Sequence, residues 1–148
     1  KLDFFKAKQI QVVWQCGALY YEDYKVLETA NVLVKAFITD MEQLYSASDF
    51  VISRSGAATL SELCCVGKPA LLIPSPNVAE NHQMHNAMAL ANQNAALVVA
   101  ESKLDEEFET VFQSLLETSV QESLSVNIRK LARPEATINI VDLIEEII

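Results

Sequence analysis

Apolar runs and amphipathic segments alternate along the first hundred residues of the chain. The apolar runs are rich in β-branched residues, which is typical of strands. They predict five strands, at residues 10–16, 31–37, 49–53, 69–73 and 95–99. The segments between them carry apolar residues at helical spacing. They predict helices at residues 20–29, 41–47, 57–66 and 81–94, and Gly67 is expected to end the third of these.

The apolar runs are continuous rather than alternating with polar residues. Strands of that kind are buried on both faces, as in a parallel sheet between two layers of helices. The pattern therefore predicts an α/β fold, with a parallel sheet and helices on both faces. It also predicts a helical tail, divided by Pro134, whose apolar residues at helical spacing are Leu104, Phe108, Val111, Phe112, Leu115, Leu116, Ile138, Val141, Ile144 and Ile148.

The composition is that of a globular domain with an acidic tail. The 148 residues suffice for one domain with a sizeable core, and 51% of them are hydrophobic. Of the net charge of −9, residues 101–148 contribute −7, with eleven acids against four bases. Binding to a nucleic-acid backbone needs a basic footprint, so no nucleic-acid partner is expected. A solvated helical face is the ordinary explanation of such an acidic stretch.

The cysteines and the ends of the chain indicate a reducing, cytoplasmic setting. Cys16, Cys64 and Cys65 form neither a CxxC pair nor a zinc pattern, and Cys64 and Cys65 are predicted to be buried thiols. No signal peptide opens the chain, and no apolar run reaches the ~18 residues of a spanning helix. The chain starts at Lys1, inside a predicted helix, so we expect it to be a piece of a longer protein.

The stretch "RSGAATLSE", residues 54–62, carries the most distinctive chemistry. Small residues at 55–58 let a ligand approach the backbone, and the helix start leaves N–H groups that suit a phosphate. Glu62 lies one turn further along, where its carboxylate can accept hydrogen bonds from vicinal hydroxyls. An ordinary strand-to-helix turn and a solvated glutamate are the alternatives.

Two other predicted strands end in unusual sequence, and ligands of parallel sheets bind at such ends. At Phe37, Ile38 and Met41, a planar base could rest on the ring or thioether while its edge pairs with the backbone of Ile38; two core side chains are the alternative. Residues 74–87, "PSPNVAENHQMHNA", hold three asparagines, Gln83, His82 and His85. This density of neutral hydrogen-bonding groups suits a hydroxyl-rich ligand.

Three other kinds of chemistry find no support in the sequence. His82 and His85 have no third ligand, so no metal is expected. No Ser-His-Asp or Cys-His arrangement can be read from the residue order. Glu62 has no partner carboxylate, so it does not make a glycoside hydrolase.

Taken together, these segments resemble the C-terminal, donor-binding domain of the bacterial lipid-linked GlcNAc transferases of peptidoglycan synthesis. Those enzymes have the two-domain GT-B fold and move N-acetylglucosamine from UDP-GlcNAc to undecaprenyl-pyrophosphoryl-MurNAc-pentapeptide. The resemblance runs from about Val12 to the last helix. It rests on "FITDM", "RSGAATLSE", "GKPALLIPSP" and "NHQMHNA", which follow one another in the family's order and spacing.

The resemblance implies a Rossmann-like fold, no cofactor and a role for each segment. Ile38 would pair with uracil through its backbone, the amides of residues 57–59 would hold the pyrophosphate, and Glu62 would hold the ribose. Gln83 would contact the sugar; the family often has a second glutamine here, and this chain has His82 instead. Arg54 would organise the turn. The implied donor-binding residues are Phe37, Ile38, Met41, Arg54, Ser55, Gly56, Ala57, Ala58, Thr59, Leu60, Ser61, Glu62, His82, Gln83 and Asn86.

The resemblance also implies that residues 1–148 are a UDP-GlcNAc-binding domain without catalytic residues of its own. In the family, the lipid I acceptor site, the membrane-facing patch and the catalytic histidine belong to an N-terminal domain. The glycine-rich turn that opens the second domain would lie upstream of Lys1. The whole enzyme would be cytoplasmic and peripheral at the inner face of the cell membrane.

Three alternatives remain open at the level of sequence. The chain could be the donor domain of another UDP-sugar GT-B enzyme, such as a diacylglycerol glucosyltransferase or a UDP-GlcNAc epimerase. It could be a naturally separate donor-binding subunit that works with a membrane-bound partner. A non-catalytic signalling α/β domain is the third, and it lacks the acidic cluster expected at the first strand end.

Overall fold

The structure, a computed structural model, describes residues 1–148, the side chain of Ala79 excepted. The chain divides into two compact units, Lys1–Leu44 and Tyr45–Ile148.

The first unit is built on two parallel strands. β1 (Val12–Gln15) pairs with β2 (Val32–Lys35), with Val12 opposite Val32 and Gln15 opposite Lys35. Side chains alternate across the pair, so that Val32 and Val34 are buried whereas Val13 and Leu33 are largely exposed. Helix α1 (Leu2–Ala7) precedes β1 and confirms the expected helical start.

The helix predicted over residues 20–29 is wrong. This segment forms a 3-10 turn at Ala18–Tyr20, the single turn α2 at Tyr21–Tyr24, and another 3-10 turn at Lys25–Leu27. A helix draws most of its stability from packing an apolar face, and here every residue of the segment except Tyr21 is exposed. Val26, for example, is 75% exposed. Without a buried face, nothing holds the turns in one continuous helix.

The second unit is built on three parallel strands in the order β3-β4-β5. These are β3 (Val51–Ser53), β4 (Ala70–Leu72) and β5 (Leu97–Val98). Ala70, Leu71 and Leu72 of the central strand are fully buried, so helices cover both faces of this sheet. The parallel α/β class is therefore confirmed, and the five strands pair as a sheet of two and a sheet of three.

The helices are α3 (Met41–Ala47), α4 (Ala57–Val66), α5 (His82–Ala91), α6 (Leu104–Leu115), α7 (Thr118–Arg129) and α8 (Ala136–Glu145). The predicted bounds of α3 and α4 are confirmed. The sequence did not predict the break between α6 and α7, where Glu117 is extended. No helix in the described part of the chain is both long and apolar enough to cross a membrane.

The core of the second unit lies where α4, α5 and α7 meet the sheet. It contains Leu60, Leu63, Cys64, Ala70, Leu72, Ala87, Leu90, Ala95, Ala96 and Ile128. The prediction of two buried thiols is half wrong, because Cys64 is buried and Cys65 is exposed. Consecutive helix positions point about 100° apart, so the face of α4 that buries Leu60 and Cys64 turns Cys65 toward solvent.

Candidate functional site

Arg54 connects the carboxyl ends of the three strands in the second unit. It follows β3, its Nη1 donates to the carbonyl oxygen of Ile73 just after β4 at 3.2 Å, and it forms an ion pair with Glu101 just after β5. Its side chain is 53% exposed, so the pair lies at the surface. We call this edge of the sheet, where the three strands have their carboxyl ends, the rim. This geometry fits a residue that organises the turn.

The first turn of α4 presents open backbone amides beside that rim. Gly56 is the N-cap, and the first helical bond runs from the Leu60 N–H to the Gly56 carbonyl at 3.0 Å. Within the described part of the chain, no side chain caps this helix end. The first two residues of the helix after Gly56, Ala57 and Ala58, are exposed. Free amides at the positive end of a ten-residue helix favour an anion.

Gly56 has an ordinary backbone conformation, with φ of −64°, so the turn itself does not require glycine. A Cβ built at this position meets nothing closer than the Thr59 Oγ1, at 3.9 Å. An alanine at this position would therefore meet no close protein atom, and the space that its Cβ would fill is open.

Ser55 is the buried anchor of this turn. It is fully buried, and its Oγ donates to the Gln83 carbonyl at 2.7 Å. Its N–H donates to the Gln83 Oε1 at 3.3 Å, and its carbonyl accepts from the Asn86 Nδ2 at 3.1 Å. The Gln83 Oε1 also accepts from the Ser75 N–H at 2.9 Å. Segments 54–62 and 74–87, each of which follows a predicted strand, are therefore in direct contact.

Glu62 is exposed on the second turn of α4, on the side of Tyr45. The Tyr45 hydroxyl lies 3.5 Å from the Glu62 Oε2, a long hydrogen bond. Burial of the ring and the neighbouring Glu62 carboxylate raise the pKa of Tyr45 above its usual value. The neutral phenol can then donate to the carboxylate and hold it in place, with capacity left to accept from further hydroxyl groups.

Two of the predicted site residues are turned to other uses. Leu60 packs in the core, and its N–H is already bonded to Gly56. The Ser61 hydroxyl donates back to the Ala57 carbonyl at 3.1 Å, a bond along the helix. Ala57, Ala58, Ser61 and Glu62 are exposed on α4, and Thr59 is half-buried.

The exposed histidines of α5 lie on the same segment as Gln83. His82 and His85 both face solvent. Nowhere among the described residues do three His, Cys, Asp or Glu side chains gather as metal ligands would. The arrangement offers hydrogen-bonding groups for a polar organic ligand.

The predicted base-binding residues lie in the first unit. Phe37 is 71% exposed, and Ile38 and Met41 are half-buried. The Ile38 N–H donates to the Gln15 Oε1 at 2.8 Å, and no donor in the described part of the chain reaches the Ile38 carbonyl. An exposed ring beside an open carbonyl is suited to a planar base whose edge carries an N–H.

Sequence reasoning did not identify Gln15, which contacts Ile38 in the first unit, or Tyr45 and Glu101, which contact Glu62 and Arg54 in the second. Gln15 ends β1 and Glu101 follows β5, so both lie at carboxyl ends of parallel strands. That position was the signal that could have found them. Tyr45 had no such signal, because it reaches Glu62 across 17 residues of sequence.

Known proteins resemble this chain over most of its length. The family described as "Glycosyltransferase family 28 C-terminal domain" matches residues 1–142. Two curated relatives are each named "UDP-N-acetylglucosamine--N-acetylmuramyl-(pentapeptide) pyrophosphoryl-undecaprenol N-acetylglucosamine transferase". The protein from Flavobacterium psychrophilum is 50% identical over 100% of this chain and 41% of its own length. The protein from Christiangramia forsetii is 50% identical over 97% of this chain and 40% of its own length.

Two solved structures share the fold. The crystal structure of Acinetobacter baumannii MurG superposes with a TM-score of 0.81 at 32% identity, over 92% of this chain and 41% of that one. The glycotransferase of kitacinnamycin superposes with a TM-score of 0.71 at 22% identity, over 98% of this chain and 37% of that one. The second likeness concerns the fold alone. The chain spans about two fifths of the length of the curated relatives it matches.

Proposed function

Because the chain belongs to the glycosyltransferase family 28 C-terminal domains, we propose that it is the donor-binding domain of a UDP-GlcNAc-dependent transferase of peptidoglycan synthesis. The observation that carries the proposal is the first turn of α4. Its open amides, with no Cβ at Gly56, form an anion site. Glu62 is exposed one turn further along, where its carboxylate can accept hydrogen bonds from hydroxyl groups. A nucleotide sugar has a pyrophosphate next to a ribose and matches that order.

The contacts follow from the groups that remain open. The amides of Ala57, Ala58 and Thr59 bind the pyrophosphate, and hydrogen bonds of this charge-assisted kind are stronger than neutral ones. Glu62 accepts from the ribose hydroxyls while Tyr45 steadies it. In the first unit, the open Ile38 carbonyl accepts the imide N–H of uracil, with Phe37 and Met41 beside the ring.

The sugar faces the segment that starts α5. His82, Gln83 and Asn86 lie there, and the side chains of Gln83 and Asn86 meet the turn that precedes α4. Arg54 and Glu101 hold the strand ends beneath it.

For the whole enzyme we propose transfer of GlcNAc to the lipid-linked MurNAc-pentapeptide at the inner face of the cell membrane. The names of the curated relatives, 50% identical across the chain, support this assignment. In this proposal the acceptor site and the catalytic base belong to the remaining three fifths of such an enzyme. The present residues hold the donor.

Calorimetric titration of the purified chain with UDP-GlcNAc, UDP and UDP-glucose tests the proposal. We expect UDP and UDP-GlcNAc to bind, because the proposed uridine and phosphate contacts all come from this domain. The binding should be weak, at millimolar ligand, because no second domain closes over the ligand. Similar affinity for UDP-glucose would favour a transferase that uses another UDP-sugar. A folded sample that binds none of the three would refute the proposal.

A further inference from the structure

The amide oxygen of Gln83 is fully committed inside the protein. Oε1 accepts the N–H groups of both Ser75, at 2.9 Å, and Ser55, at 3.3 Å. A backbone N–H can only donate, so these bonds fix which end of the amide faces inward. The Nε2 group is then the one polar group of this side chain left for a ligand, and it can only donate.

Ser55 is held by α5 through every polar group that it has. Its Oγ donates to the Gln83 carbonyl, its N–H donates to the Gln83 Oε1, and its carbonyl accepts from Asn86. Ser55 is fully buried, so a ligand cannot take over any of these bonds. We call this set of Ser55, Gln83 and Asn86 the Ser55 latch.

The Ser55 latch lies immediately before the anion site. Ser55 precedes Gly56, the N-cap of α4, and the open amides follow at residues 57–59. Fixing Ser55 against α5 therefore fixes where those amides point. Donors that bind a charged group are effective only when they are held to within about 0.5 Å of the productive position.

We propose that Gln83 and Asn86 are positioning residues for the pyrophosphate, acting through Ser55. This inference rests on the proposed function and deepens it, since it gives Gln83 a role in binding UDP itself and not the sugar alone. Loss of the latch lets the first turn of α4 shift, which lowers the affinity of its amides for the diphosphate. Uridine has no phosphate, so its binding changes little.

The test compares the affinities of the purified chain for UDP-GlcNAc, UDP and uridine. Gln83→Met, which keeps the length of the side chain and removes its amide, is expected to weaken the binding of UDP, and to weaken UDP-GlcNAc at least as much because its sugar contact is lost as well. The expected loss is roughly tenfold, equivalent to about 1.4 kcal/mol. Asn86→Leu should reproduce this pattern, and the double variant should lose less than the product of the two single losses because both act on Ser55. Gln113→Met, the same change at an exposed glutamine of α6, is the matched control and should bind like the wild type.

The outcomes separate the latch from the proposed function. If Gln83→Met weakens UDP-GlcNAc but leaves UDP unchanged, Gln83 touches only the sugar and the latch is refuted. An equal loss for uridine and UDP would mean general damage to the domain and would also refute it. If a variant fails to fold, Ser55→Ala removes one bond of the latch and must show the same selective loss of UDP. A wild-type chain that binds neither UDP nor uridine would overturn the proposed function and the latch with it.

Discussion

At the residue scale, Glu62 is the side chain whose chemistry is most open to test. It is exposed, its carboxylate accepts a long hydrogen bond from Tyr45, and it follows the open amides by one turn. Glu62→Ala should weaken UDP binding by about 1–3 kcal/mol, the range for a lost hydrogen bond to a charged group. The midpoint of thermal unfolding should hardly change, because the residue is exposed.

Titration calorimetry and a melting curve measure both quantities for Glu62→Ala. Glu122→Ala, which removes an exposed glutamate from α7, is the control for charge and should leave both unchanged. Unfolding of Glu62→Ala, or unaltered UDP affinity, would make Glu62 a structural residue and not a ribose ligand.

The two adjacent cysteines provide a second test at this scale. Cys64 is buried, and burial with the adjacent Cys65 raises the pKa of the Cys64 thiol. Since the thiolate is the reactive form, we expect iodoacetamide to modify exposed Cys65 well before Cys64 in the native chain. Peptide mass spectrometry over a time course measures the two rates. In denaturant the rates should converge, and equal rates in the native chain would contradict the orientation of α4.

The same residues show what a sequence can predict about a site. The anion-binding turn and Glu62 could be proposed from 54–62 because helix geometry links residues that are close in sequence. Ser55 and Gln83 are 28 residues apart, so their bonds depend on how α5 packs and have no local signal. Cys65 was misplaced for a related reason, because an apolar run does not say which helix face meets the core.

At the scale of elements, α4 is defined by the glycines at its two ends. Gly67 ends the helix with φ of 70°, and a Cβ there would fall on the side chain of Arg129. Its carbonyl also accepts the Ser125 hydroxyl of α7 at 2.6 Å. Gly56, at the other end, has an ordinary conformation and open space before it. Gly67 therefore serves the fold, and in the proposed function Gly56 leaves room for a ligand at the helix start.

Replacing each glycine by alanine should separate stability from binding. Gly67→Ala should lower the free energy of unfolding by at least about 1–2 kcal/mol, the cost of a left-handed conformation with a Cβ. Gly56→Ala should unfold like the wild type but bind UDP more weakly, since its methyl group occupies the ligand's approach. Denaturant unfolding and calorimetry of both variants measure this. Loss of stability in Gly56→Ala with unchanged UDP binding would reverse the assignment.

Elements whose ends are marked by residues in the local sequence were predicted well. Helix 57–66 has small residues at its start and Gly67 at its end, and α4 has those bounds. The segment 20–29 has no comparable cap, and it breaks into short turns because it has no continuous buried face. Strands were located correctly but predicted too long, since apolar residues continue beyond the last paired residue. The pairing of the strands into two sheets depends on long-range packing. The periodicity of apolar residues along the chain gives no information about that packing.

At the scale of the whole molecule, the chain matches one part of much longer relatives. Its matches cover it almost completely, yet it covers only 41% of the Flavobacterium relative and 41% of the Acinetobacter structure. The described groups bind a nucleotide sugar in the proposed function, and none of them is assigned to an acceptor. A donor-binding domain and a complete transferase would therefore differ in activity while sharing the UDP contacts.

We accordingly expect no GlcNAc transfer by residues 1–148 alone, even with a soluble analogue of the lipid acceptor. A transferase must hold the attacking hydroxyl about 3–3.5 Å from the sugar carbon, with a base within hydrogen-bond reach. In the proposed function, Glu62 is engaged with the ribose and Gln83 faces the sugar. Radiolabelled UDP-GlcNAc and product chromatography would measure turnover, and adding the rest of a related transferase, fused or in trans, should restore it. Turnover by the isolated chain that is lost in His82→Ala or His85→Ala would place the catalytic centre on α5 instead.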